Sequence, residues 1–129
     1  MPIVKVGDIN MYYEVHGEGE PLVFIPGGGS TVEKVLPRLP IYSKEYKVVV
    51  FDNRGMGHSD APDIPYTMEM FADDLAGLLD AINIDTIHVV SESYGGLIAQ
   101  HLAIRHPHMI RSLILMSTYC GGPHSIIPG

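Results

Sequence analysis

A chain of 129 residues with 46% hydrophobic content is long enough to bury the core of one soluble domain, taken here as residues 1–129. Its 15 Asp and Glu against 8 Lys and Arg, a formal charge of -7, disfavour nucleic acid and anionic lipid as partners. Cys120 is the only cysteine, so an internal disulfide is excluded, and no run approaches the ~20 apolar residues that cross a bilayer; a cytoplasmic protein is expected.

The opening MPIVKVGDIN is broken by Lys5 and Asp8 and does not resemble a secretory signal. Extended runs over residues 4–6 and 11–15 flank Gly7-Asp8, a connection that favours a hairpin. After the GEGEP loop, the apolar run 22–25 fits a strand buried on both faces. In PGGGSTVEKV, Ser30 and Glu33 stand at S-x-x-E spacing, which predicts a capping box opening a short helix that Pro37 and Pro40 curtail. YKVVVF, residues 46–51, is the next buried strand, and DNRGMGHSDAPDIP is a long loop of turn-forming residues.

Thr67 is placed to cap a helix in which Phe71, Leu75, Leu78, Leu79 and Ile82 recur at helical spacing, with Asp73, Asp74 and Asp80 on its other faces. A strand over 86–90, a helix over 94–105 stopped by Pro107 and a strand over 110–116 follow, ahead of the irregular tail STYCGGPHSIIPG. A hairpin followed by strands alternating with helices predicts an α/β fold, a mostly parallel sheet with helices on both faces.

Ligands in such sheets sit beyond the carboxyl ends of the strands, where PGGGS, DNRGMGHS and SESYGG are expected to gather. A serine on a sharp strand-to-helix turn needs small residues two before and two after it; Ser91 and Gly95 hold those places around Ser93. The Tyr94 amide, at the start of the helix, then faces a developing oxyanion, and the Gly27-Gly28-Gly29 run is able to bring a second amide against the same oxygen.

The order strand, PGGGS, helix, strand, DNRGMGHSDAP, helix, strand, SESYGG, helix resembles the amino-terminal half of an α/β-hydrolase-fold protein, in the group of esterases, enol-lactonases and non-haem haloperoxidases. D-x-R-G-x-G-x-S matches from Asp52 to Ser59. The resemblance implies the first six strands of that family's open sheet without a cap domain, Ser93 as nucleophile, Tyr94 and Gly28 as oxyanion-hole amides, and a mainly structural loop from Asp52 to Ser59. Two positions depart from it: Ser91 replaces the first glycine of G-x-S-x-G, and Pro26 stands where a histidine often precedes the oxyanion glycine. The family's acid and histidine follow later strands that this chain does not contain, and a serine hydroxyl needs a base to take its proton.

Within the chain, His58 on the RGMG loop and His124 in the tail are the candidate bases. His88 falls in a strand, where a satisfied sheet-face role is the plainer reading, and His101 and His106 belong to the helix after Ser93 and point away from its tip. Glu92 is expected in a surface or packing role, Asp52 to tie Arg54 or loop amides, and Cys120 to be an incidental thiol. A dinucleotide fold is disfavoured because Gly27-x-Gly29-x-x-Val32 puts a β-branched residue where helix–strand packing needs a small one.

No cofactor is implied, and the seven histidines show no metal-ligand spacing. The final strand, with Leu113, Ile114, Leu115 and Met116, is expected to lie on an open edge and to pair chains into a homodimer or larger assembly. Two readings follow: a serine hydrolase acting on a small ester or lactone, incomplete as a lone chain, or a catalytically silent interaction module that keeps the fold.

Overall fold

The computed structural model describes residues 2–27 and 30–116. Strand β1 (Ile3–Val6) turns at Gly7, which holds a positive φ of 57°, into β2 (Ile9–His16), and Val6 faces Ile9 across the hairpin. Strands β3 (Glu20–Ile25), β4 (Tyr46–Phe51), β5 (Ile87–Glu92) and β6 (Ile110–Met116) join them in one six-stranded sheet of order β1-β2-β4-β3-β5-β6. Only the pairings that involve β2 are antiparallel.

Each central strand buries both faces, so alternate residues enter separate cores. Val23, Ile25, Val49, Phe51 and Val89 pack on helices α3 (Met68–Ala81) and α4 (Tyr94–Arg105) through Leu75, Leu78, Ile98 and Leu102. Leu22, Phe24, Val48, Val50 and Val90 face the opposite side, against the single-turn helices α1 (Val32–Val35) and α2 (Pro40–Ser43) and the turn between them. Phe24, Leu75 and Leu78 are completely buried, each contributing about 1.5–3 kcal/mol relative to exposure. The crossover from β3 to β4 and that from β5 to β6 run outward in opposite directions, which opens a crevice at the carboxyl ends of β3 and β5.

Thr67 caps α3 as its spacing predicts, its Oγ1 accepting from the Met70 amide at 3.1 Å. The capping box at Ser30 and Glu33 does not form. The residue at the cap of α1 is Thr31, which makes no side-chain cap bond, and the Val32 amide donates instead to Asp52 Oδ1 at 2.8 Å. A carboxylate at the end of β4 has taken over the local capping role. Asp74, expected on an outer face of α3, is buried at 5% exposure. Strand β5 runs two residues further than periodicity predicts, because its pairing with β6 continues to Glu92 opposite Met116.

The end of α4 is tied to α3 by Asp73, whose carboxylate accepts from Arg105 at 2.6 and 2.9 Å and contacts His106 at 2.8 Å. The Arg105 bonds, with help from His106, hold its carboxyl down to about 2, below the ordinary 3.8. A depressed carboxyl stabilises the fold fully above its unfolded value and loses that contribution as pH falls through the folded one. Chemical denaturation should therefore show the advantage of the wild type over Asp73→Asn intact above about pH 4 and gone near pH 2. The pair is partly solvated, so the gap will be modest.

Among the described residues β6 pairs with β5 alone, and Ile114 and Leu115 are exposed on it. No helix among the described residues is long and apolar enough to cross a membrane.

Candidate active site

Between the last residue of β5 and the first of α4 stands only Ser93, at φ 50° and ψ -124°. A residue with a β-carbon is strained in that region, so its surroundings must impose the turn. Three anchors do so. The Ser93 amide donates to Met116 O at 2.8 Å, the Gly96 amide donates to Ser93 O at 3.0 Å, and the fully buried Ser91 hydroxyl donates to Ile114 O at 3.1 Å. Serine is thus accommodated in place of the usual glycine because its hydroxyl finds a strand carbonyl.

The small residue after the turn is demanded by the neighbouring strand. A β-carbon on Gly95 would lie 2.3 Å from Pro26 O and 2.5 Å from Ile25 O, so α4 starts directly over the end of β3. On that same stretch, a β-carbon on Gly27 would lie 3.6 Å from Ser93 Cβ, an ordinary van der Waals distance. The glycine loop and the serine are adjacent. Tyr94, as the first residue of α4, has an amide with no acceptor inside its own helix. Gly28, the other amide singled out in the sequence, lies outside the described residues, as do Gly29, Cys120 and His124.

A cavity of about 300 Å³ opens here, its wall including Gly27, Asn53, Arg54, Tyr66, Tyr94 and Ile98. Two of these are positioned by the D-x-R-G-x-G-x-S loop. Asp52, 1% exposed, accepts from the Val32 and His58 amides at 2.8 and 2.9 Å, so it ties loop amides rather than Arg54. The Ser59 hydroxyl donates to Asp52 O at 2.6 Å and accepts from the Tyr12 amide at 2.9 Å. Gly57, at φ 47°, leaves room for the Asp52 carboxylate, which a β-carbon would meet at 2.2 Å.

Arg54 instead forms a two-pronged pair with the buried Asp74, at 2.7 and 2.8 Å, with Asp8 at 3.2 Å. The Asp74 bonds raise the guanidinium pKa above its ordinary value, so the cation is permanent. Asp74 was not legible as its partner, since an Asp-Asp pair on an amphipathic helix reads as solvated surface.

The histidines are spread widely. His58 sits in a different cavity, of about 420 Å³, with Tyr12, Glu14 and Asp52, its ring edge-on to Tyr12 at 5.1 Å. There the Tyr12 phenol donates to Glu14, which pushes the phenol up to about 12 and the carboxyl down. His101 lies 4.0 Å from Glu69, His106 is bound to Asp73, and His88 lies at the far end of β5 from Ser93. Glu92 is held by Arg38 in a two-pronged pair at 2.5 and 2.6 Å, which lowers its carboxyl pKa, and Arg38 in turn stacks 5.0 Å over Phe24. No described histidine lines the cavity beside Ser93. Among the described residues no group of three or more His, Cys, Asp or Glu could hold a metal ion.

A mostly parallel sheet with a serine turn at its central crevice is the architecture of an α/β hydrolase, and sequence comparison gives the same assignment. The chain belongs to the alpha/beta hydrolase fold family, whose model matches residues 20–128. It is 32% identical over 117 residues to the "Putative carbamate hydrolase RutD" of Azorhizobium caulinodans, covering 91% of this chain and 44% of that protein. A 2-hydroxymuconate semialdehyde hydrolase from a Pseudomonas species is 38% identical over 109 residues, 79% of this chain and 38% of its own length. The crystal structure of the enol-lactonase from Burkholderia xenovorans superposes with a TM-score of 0.82 at 32% identity, covering 87% of this chain and 45% of that one. The chain thus spans less than half the length of the relatives it matches.

Proposed function

We propose that this chain carries the nucleophile half of a serine hydrolase that cleaves a small carboxylic ester or lactone. Ser93 attacks the carbonyl carbon, and the amides of Tyr94 and Gly28 hold the oxyanion. The observation that carries this reading is the Ser93 turn, at φ 50° and ψ -124°, with the Gly27 loop at van der Waals distance. A strained backbone at a ligand-facing corner is what a protein retains where a side chain must be presented outward. The relatives support the substrate class, since hydrolases and an enol-lactonase are among them. The serine's base comes from beyond the described residues, with His124 one candidate.

The second reading, a silent binding module, is favoured by one fact: the described histidines lie outside the cavity. A fluorophosphonate probe separates the two. Hydrolase function requires labelling of Ser93 itself in the wild type, lost from that position in Ser93→Ala, with short-chain ester turnover falling by about a thousandfold or more. Wild-type protein that neither labels at Ser93 nor turns over such esters is a binding module.

The same incompleteness bears on assembly. The open edge of β6, with Ile114 52% and Leu115 40% exposed, is proposed to pair with a second copy of the chain. Sedimentation velocity should find a dimer or larger species at micromolar concentration that Ile114→Lys dissociates; a wild-type monomer rules edge pairing out.

A further inference from the structure

At the end of the sheet away from Ser93, three adjacent strands present one polar row. Glu20 opens β3, His88 is the second residue of β5, and Ser112 is the third of β6. The Ser112 Oγ lies 2.6 Å from Nδ1 of His88, and Glu20 Oε2 lies 2.9 Å from Nε2. A carboxylate only accepts, so Nε2 carries a proton; in the neutral ring Nδ1 is then the acceptor, and the Ser112 hydroxyl donates to it. The acid thus selects the tautomer that leaves a base on the serine.

The row exists because of an irregularity in strand pairing. Ile87 faces Ile110, but His88 faces Ser112, so Arg111 is an extra residue. In unbroken register Ser112 would lie opposite Val89 and share its face, the one packed on α3 and α4. The bulge moves Ser112 to the face of His88. It also brings the Arg111 guanidinium to 3.1 Å from Glu20 Oε1. Hydrogen bonding from His88, then the charge of Arg111, lowers the Glu20 carboxyl below the ordinary carboxylate range. The Tyr46 ring, edge-on at 5.8 Å, shields one side of the imidazole. Ser112 itself is exposed.

We propose that Ser112, His88 and Glu20 form a second nucleophilic site, on the open sheet face, whose substrates are small activated esters and related phosphonyl electrophiles. The Ser112 Oγ bonds to the acyl carbon while the bond to the leaving alcohol or phenol breaks. The Oγ proton passes to His88 Nδ1 and then to the leaving oxygen. Water, deprotonated by the same nitrogen, cleaves the acyl-serine and restores the hydroxyl. With a fluorophosphonate, Oγ–P forms, P–F breaks and fluoride departs. A single oxyanion-hole donor is worth about 10²–10³ in rate, and the proposed site relies on none, which confines it to substrates with good leaving groups. Glu20 is a positioning residue.

The site is independent of Ser93 and is read separately from it. Trypsin cuts after Arg54, Arg105 and Arg111, so label on Ser93 falls in residues 55–105 and label on Ser112 in residues 112–129. In Ser93→Ala, fluorophosphonate should still mark 112–129; Ser112→Ala should remove that mark, and His88→Gln should slow it about a hundredfold. The groups facing His88 are Glu20 on β3, Ser112 and Arg111 on β6 and Tyr46 on β4. Glu20→Gln removes the carboxylate that accepts from Nε2–H and should slow labelling of 112–129, with Glu20→Asp restoring part of it. Fragment 112–129 that stays unlabelled overturns the proposal. So does a label that survives Ser112→Ala, or one indifferent to His88→Gln.

Discussion

Asp74→Ala is expected to destabilise the fold by about 3–5 kcal/mol, read as a fall in the urea midpoint at unchanged slope. Arg54 is 5% exposed and keeps its charge in the native state. Asp74 supplies both close bonds, and the remaining carboxylate, Asp8, is 3.2 Å away and 66% exposed. Removing Asp74 therefore leaves a buried cation with the largely exposed Asp8 as its counter-ion. The guanidinium has no slack to absorb this, because its buried Nη1 already lacks a hydrogen-bond partner and its Cζ stands over the Tyr66 ring, 6.0 Å from the centroid. The double variant Arg54→Met with Asp74→Leu should recover most of the loss, since desolvation of both charges is then avoided. A double variant as unstable as Asp74→Ala would show that shape, not charge, governs the site.

Gly95→Ala is expected to cost about 3 kcal/mol or more and to abolish whatever reactivity Ser93 has. The added methyl group would meet two backbone carbonyl oxygens at 2.3 and 2.5 Å, and backbone cannot rotate aside as a side-chain tip can. Relief requires α4 to lift from the end of β3. That movement breaks the geometry that places Ser93 beside Gly27, so stability and probe labelling should fall together. Gly27→Ala is the contrast. Its methyl group would sit 3.6 Å from Ser93 Cβ, so the fold should hold while access to the serine narrows. Thermal melts paired with labelling rates distinguish the two: labelling lost without loss of stability in Gly95→Ala would refute the packing account.

Much of this molecule was legible from local chemistry. The Gly7 hairpin, the buried strands, the Thr67 cap and the spacing of Ser91, Ser93 and Gly95 each depend on residues a few positions apart, where periodicity and turn preference act directly. What was misread or missed shares a different cause. Ser30 and Glu33 have capping spacing, yet Asp52 holds the amide of Val32 from 20 residues away. Asp74 reads as solvated until Arg54 reaches it across the fold. Ser112 joins His88 only because one residue is extra in β6.

What the sequence determined by itself is the order and type of the elements and the corner that presents Ser93, since backbone preference and hydrophobic period are properties of neighbours in the chain. Which carboxylate meets which amide, guanidinium or imidazole was decided by the packed sheet alone. Buried polar groups take the partner that desolvation leaves within reach, and that partner is set by strand order and register rather than by distance along the chain.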